Sequence, residues 1–185
     1  MLIEDLIVRL SKDPFNPVYN FEVAEEYKSL NQTASAVSFY LRCAEYGDNS
    51  DYVYASLLRL AECFEEQNDR SHTVSNCLLQ AIAHNPKRPE AYFLMACFHE
   101  RASAWQECYT FATLGLGLNS ELNKLPADVG YIGDDCLWFE IAVSAYWIGR
   151  LEESIELFKE LRQQKLPDNY YQAIDSNLER IYAYV

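Results

Sequence analysis

His99-Glu100 is the first place where catalytic chemistry could begin in this chain of 185 residues. A helix that carries His-Glu and a second histidine four positions after the first can hold zinc and supply a general base. Ser103 stands at that fourth position, so the pair is incomplete. The three histidines, His72, His84 and His99, fall at most one to a helix. That argues against a metal site and against a nucleophile activated by histidine. No glycine-rich phosphate loop and no Gly-x-Ser-x-Gly elbow occurs. The doublets Glu25-Glu26, Glu65-Glu66, Asp134-Asp135 and Glu152-Glu153 resemble paired carboxylates, but adjacent helical residues diverge by about 100° and do not face each other. They read as solvated faces. The six cysteines, Cys43, Cys63, Cys77, Cys97, Cys108 and Cys136, contain no Cys-x-x-Cys pair and lie at or beside apolar helical positions. They read as buried free thiols. The expectation is a chain with no enzymatic activity, no metal and no cofactor.

The elements that carry these residues are helices in tandem. From Lys87 to Leu118, Tyr92, Met95, Ala96 and His99 recur at helical offsets, with Pro89 suited to the first turn. From about Ala104, Trp105, Cys108, Ala112 and Gly115 repeat the pattern. Small residues at Ala96, Ala112 and Gly115 predict two antiparallel helices whose backbones approach closely. The same small position recurs at Ala24, Ala61, Ala96 and Ala142, at intervals of 37, 35 and 46, and the second-helix positions Tyr40, Leu78, Ala112 and Phe158 follow at 38, 34 and 46. Two series that drift together indicate a repeated hairpin. Helices are expected over about 17–30 and 33–46, 50–67 and 71–84, 89–102 and 104–118, and 134–148 and 151–164. A short N-terminal helix ending near Asp13-Pro14 and a last helix over 168–184 flank them. Residues 119–133 break the period. Their apolar Leu122, Leu125, Val129, Tyr131 and Ile132 predict a loop that folds over the edge of the repeats, meets a partner, or packs on its own repeat.

These residues resemble the tetratricopeptide repeat (TPR) family, whose unit is about 34 residues. Tyr92, Ala96 and Gly115 carry the resemblance in the third unit, and Leu60, Ala61, Phe64, Ala81 and Pro86 in the second. Trp138, Ala142, Gly149, Ser154 and Phe158 carry it in the fourth; Val23, Ala24, Tyr27, Ala36 and Tyr40 do so in the first, where Asn20 replaces the usual large apolar residue. The resemblance implies an all-α fold, an α-solenoid of about four hairpins in a single domain. Its repeats run 17–48, 50–86, 87–118 and 134–167, between an N-terminal helix at 1–13 and a capping helix at 168–185.

Fifteen Lys plus Arg against 28 Asp plus Glu give a net charge of −13. Such a balance disfavours nucleic acid and anionic membranes, both of which need a positive face. No apolar run reaches the roughly 20 residues of a membrane span, and MLIEDLIVRL carries acids where a secretory signal needs positive charge. A cytoplasmic location is expected.

The family resemblance further implies a concave groove lined by the first helix of each repeat. Its groove offsets fall on Phe21, Glu25 and Lys28, then Leu58, Glu62 and Glu65, then Glu90, Phe93, Cys97, Glu100 and Arg101, and finally Phe139, Val143, Tyr146 and Trp147. That set is acidic at one end and aromatic at the other. It predicts a non-enzymatic adaptor for a protein or peptide with basic and apolar residues. Capture of a partner's C-terminal carboxylate is disfavoured, because Phe21, Glu25, Leu58 and Glu62 occupy the offsets where family members place Lys, Asn and Arg. Tyr170, Tyr171, Tyr182 and Tyr184 in the last helix raise the possibility of a homo-oligomer. A narrower resemblance, from Arg88 through the insertion to Ile155, is to repeat segments found alongside family 2 glycosyltransferase domains. It implies an accessory role in glycan synthesis, although no strand–helix alternation leads into a metal-binding Asp-x-Asp.

Overall fold

The computed structural model describes residues 3–48, 51–118 and 123–183, and all regular structure among them is α-helical. In chain order the helices are α1 (Ile3–Lys12), α2 (Pro17–Ser29), α3 (Thr33–Tyr46), α4 (Asp51–Glu66), α5 (Ser71–His84), α6 (Glu90–Arg101), α7 (Trp105–Gly115), α8 (Asp134–Trp147), α9 (Leu151–Leu161) and α10 (Asp168–Ala183). The chain groups into two compact units. One is Met1–Lys87 with Leu122–Val129; the other is Arg88–Glu121 with Gly130–Val185.

In the first unit α2 pairs with α3 and α4 with α5, while α3 also packs on α4. In the second, α6 pairs with α7 and α8 with α9, and α7 packs on α8. Each pair meets at the small position. Ala24, Ala96 and Ala142 are wholly buried and Ala61 nearly so, opposite the buried Tyr40, Ala112, Phe158 and Leu78. The Ser154 hydroxyl donates to the Ala142 carbonyl at 2.7 Å, fastening the last pair at that point. Gly115 is small for the same reason: a Cβ there would meet Tyr92 Cβ at 3.0 Å and Leu137 side-chain carbons at 3.1 Å.

The turns repeat with the helices. Asn31, Asn68, Ser103 and Gly149 each stand seven residues after the small alanine, and all have positive φ, at 57°, 56°, 55° and 83°. A left-handed residue lets the backbone reverse between the two helices, and Gly or Asn adopts it with the least steric strain. Helix starts are also written locally. Asn16 caps α2 by accepting from the Tyr19 amide at 3.2 Å, with Pro17 in the first turn. Asn20, the departure from the repeat pattern, is wholly buried and donates from Nδ2 to the carbonyls of Pro14 and Asn16 at 2.9 and 2.8 Å. It ties down the α1–α2 connection where other units place a large apolar side chain. α1 packs Leu6 and Leu10 against Val23, and Tyr19, Tyr27 and Phe39 complete that cluster.

α10 lays Ile174, Leu178 and Ile181 into the core that holds Ala142, Phe158 and Leu161. Tyr170 and Tyr171 pack against the same cluster, and the Tyr171 hydroxyl donates to the Gln164 carbonyl at 2.6 Å. Two of the four tyrosines that pointed to self-association are therefore accounted for by packing. Tyr182 is 55% exposed, and Tyr184 lies outside the described residues. Part of the inserted loop, Leu122 included, also lies outside them, and the remainder divides. Residues up to Val129 group with the first unit, whereas Tyr131 packs on Phe93 in the second and donates to Asp134 at 3.0 Å.

Two expected outcomes check this register. Ala96→Leu overpacks the α6–α7 contact and lowers unfolding free energy by about 1–3 kcal/mol in denaturant titration. Ser103→Gly relieves a left-handed serine and raises it by about 0.5–1 kcal/mol, since glycine gives back part of that relief as added freedom in the unfolded chain.

Candidate functional site

In the first unit the expected groove residues converge on a charge network. Lys28 pairs with Glu62. Arg59 forks onto Glu25, with Nε donating to Oε1 at 2.9 Å and Nη2 to Oε2 at 3.2 Å, while its Nη1 donates to Glu62 at 2.8 Å. The Tyr40 hydroxyl donates to the same Glu25 carboxylate, and burial together with that bond pushes its pKa well above the ordinary phenol range. Glu25 and Glu62 are thus matched by Arg59 and Lys28. Arg59 was missed in the sequence because it stands between Leu58 and Leu60. The signal that could have found it is its separation of 34 from Glu25, also the separation of Lys28 from Glu62. Groups so placed come alongside each other on successive first helices.

Beside this network lies a cleft of about 600 Å³ lined by Leu6, Phe21, Glu22, Glu25, Glu26, Tyr52 and Pro126. Phe21 meets Tyr52 edge-on at 5.4 Å. Arg9 pairs with Glu22. The side chains of Phe21 and Leu58 are themselves buried, at 2% and 0% exposure, so they serve packing rather than offering a free surface. Glu65 is half-buried on α4.

In the second unit Phe93 is likewise buried, against Tyr131, and Val143 is buried in the α8–α10 core. Phe139 is half-buried, with Phe158 and Tyr170 edge-on at 5.9 and 5.1 Å. Glu90 is paired with the buried Arg88 at 3.0 Å. Glu100 is half-buried and Arg101 exposed. Trp147, 46% exposed, stacks on Trp105 at 5.0 Å and meets Tyr146 edge-on.

Glu140 is the acid that sequence reasoning overlooked. It is 7% exposed on α8, and Cys97 and Cys108 direct their thiols at its two carboxyl oxygens at 3.5 and 3.6 Å. Burial, followed by the nearby Glu100 charge, raises its pKa to about 7, against the thiol bonds and Arg101. Burial raises the thiols too, Cys136 to about 12. All six cysteines are free, five of them buried and Cys97 partly so. No group of three or more His, Cys, Asp or Glu among the described residues is placed to hold a metal. His99 stacks on Phe111 at 5.4 Å, and burial lowers its pKa.

Paired helices that meet at a small residue and turn on a left-handed one define a helical-repeat protein. No family model matches the chain, and no curated protein matches it in sequence. Solved structures do. YrrB, described as a TPR protein with an unusual peptide-binding site, is 13% identical with a TM-score of 0.72 over 99% of this chain and 84% of its own. TTC0263, a thermophilic TPR protein of Thermus thermophilus, is 14% identical with a TM-score of 0.65 over 95% and 88%. MamA is 14% identical at 0.67 over 86% and 84%. The fold is that of the tetratricopeptide repeat, an all-α fold of the α-solenoid class.

Glu140 gives this scaffold a pH dependence. Its folded pKa lies above the unfolded value, so the folded state holds the extra proton, and stability falls as pH rises from about 4.5 through about 7. The loss is up to about 3 kcal/mol. Glu140→Gln flattens that slope in urea titrations between pH 5 and 8; an unchanged slope assigns the dependence elsewhere.

Proposed function

We propose that this chain is a non-enzymatic adaptor that binds a peptide carrying basic and apolar residues, and that the cleft of the first unit is where it does so. One observation carries the reading: the half-buried Tyr52, backed by the buried Phe21, lines a cleft together with the carboxylates of Glu22, Glu25 and Glu26. Aromatic surface supplies desolvated contact area, and carboxylates at its rim select Lys or Arg over acidic partners. Arg9 and Arg59 hold Glu22 and Glu25 in place. Glu26 has no side-chain partner among the described residues and is the carboxylate left for a ligand. Lys28, Glu62 and Glu65 act as support for that rim, and Leu58 as its backing. In the second unit Phe139, Tyr146, Trp147, Glu100 and Arg101, with Glu90 and Phe93, are a separate candidate contact set. The six free thiols suit a reducing compartment, and we place the protein in the cytoplasm. No helix among the described residues is long and apolar enough to cross a membrane.

The test is fluorescence anisotropy with a labelled peptide of alternating Lys and Leu. Glu26→Lys weakens binding severalfold or more, with salt dependence reduced and helicity unchanged. Equal binding by parent and variant removes the cleft from the reading. Glu62→Lys is the poorer probe, because it also strips Lys28 and Arg59 of their partner. Turnover of a nucleotide sugar with a divalent metal would overturn the non-enzymatic reading.

A further inference from the structure

The last hairpin leaves open a repeat position that the others cover. The residue four places before the small alanine is Asn20, Leu57, Tyr92 and Trp138 in successive hairpins. Asn20 and Leu57 are buried, at 0% and 6% exposure, and Tyr92 is half-buried, whereas Trp138 is 38% exposed. Among the described residues no ring and no cation lies against the Trp138 indole. Beside it is a cavity of about 110 Å³, lined by Asp135 and Trp138 of α8 and by Leu157, Glu160, Leu161 and Gln164 of α9 and the turn that follows. The spacing explains why they converge. Asp135 and Trp138 stand three apart, and the other four stand at offsets of three, four and seven from Leu157, so each set shares one helix face. The amide of Gln164 donates to the Leu161 carbonyl at 3.1 Å, which carries that face one turn past the helix end. Two carboxylates therefore border an open indole, and no described cation pairs with either of them. Arg162, the nearest arginine in sequence to Glu160, is paired with Asp175 instead.

We propose that this cavity receives a single lysine side chain of a partner polypeptide. Its size falls well below the roughly 300–1,000 Å³ of small-molecule sites, which suits one side chain and not a cofactor. Leu157 and Leu161 give the methylene stem an apolar wall, and the indole of Trp138 attracts the charged head. An ammonium carries three donors that point in different directions. It can meet Asp135 from one helix, Glu160 from the other and the Gln164 side-chain oxygen together. A guanidinium is a rigid planar fork that matches one carboxylate through two bonds, and its greater bulk suits this cavity less well. The site belongs to the second unit and shares no residue with the cleft of the first. It stands whether or not that cleft captures a peptide.

The experiment follows the indole N–H signals of the full chain in proton–nitrogen correlation spectra. The chain has three tryptophans, Trp105, Trp138 and Trp147, and the signal lost in Trp138→Phe identifies the one at the cavity. The probes are capped pentapeptides of glycine and alanine with a central lysine, acetyl-lysine or arginine. The lysine peptide is expected to move the Trp138 signal saturably and to leave the other two in place. The acetyl-lysine and arginine peptides are expected to bind at least about fivefold more weakly, the first for want of charge and the second for its shape. Glu160→Gln alters an exposed position and is expected to weaken lysine-peptide binding severalfold with helicity unchanged. A Trp138 signal that stays fixed, equal binding of the arginine or acetyl-lysine peptide, or parent-like affinity in Glu160→Gln overturns the proposal. So does an equal shift of all three indoles, which marks general attraction to an acidic chain.

Discussion

Close approach of paired helices at one small residue is the constraint on which the structure rests. Ala24, Ala61, Ala96 and Ala142 leave room for a second helix to lie against the first, and the buried side chains opposite them, Tyr40, Leu78, Ala112 and Phe158, differ widely in size. The alanine is the fixed part and the partner adjusts. Because the turn residue stands seven positions later in every hairpin, the contact also sets where the chain reverses. A hairpin held this way still has apolar faces to cover. Within the first unit, α4 meets that need by burying Val53, Tyr54, Ala55, Leu57, Leu58, Leu60, Ala61 and Cys63 around most of its circumference.

Charge is organised on a finer scale than composition reveals. The chain carries −13 overall, yet the inner residues Glu25 and Glu62 are neutralised within the fold by Arg59 and Lys28. Arg59 is well suited to the junction because its planar fork bonds one carboxylate through two nitrogens and a second through a third. A lysine there would offer a point charge and lose that geometry. Net charge therefore bears on the surface at large, while the charge at a cleft depends on which cations the fold delivers to it.

Helix positions were legible because they rest on local rules. The boundaries of α3 and α5 coincide with the sequence expectation, and most others end one to three residues sooner, where the last turn frays into the connection. The burial of Phe21, Leu58 and Phe93 was not legible. The family's groove offsets name a direction on the helix and say nothing of what the rest of the chain lays over it. Glu140 escaped for a related reason: a single acid in the apolar run of α8 has no sequence partner, and its thiol neighbours Cys97 and Cys108 come from two other helices. The Glu25–Arg59 pair was recoverable from the repeat interval, since its members stand about one unit apart.

The reach of the inserted loop has a consequence for synthesis. Leu6 and Pro126 line one cleft although 120 positions separate them. The helices through α5 are complete about forty residues before Pro126 is added, a delay of several seconds at ordinary ribosomal speed. During that interval the emerging amino-terminal hairpins carry the cleft without the part of its wall that Pro126 supplies. That wall of the cleft is therefore added only after the hairpin of α6 and α7 has been made.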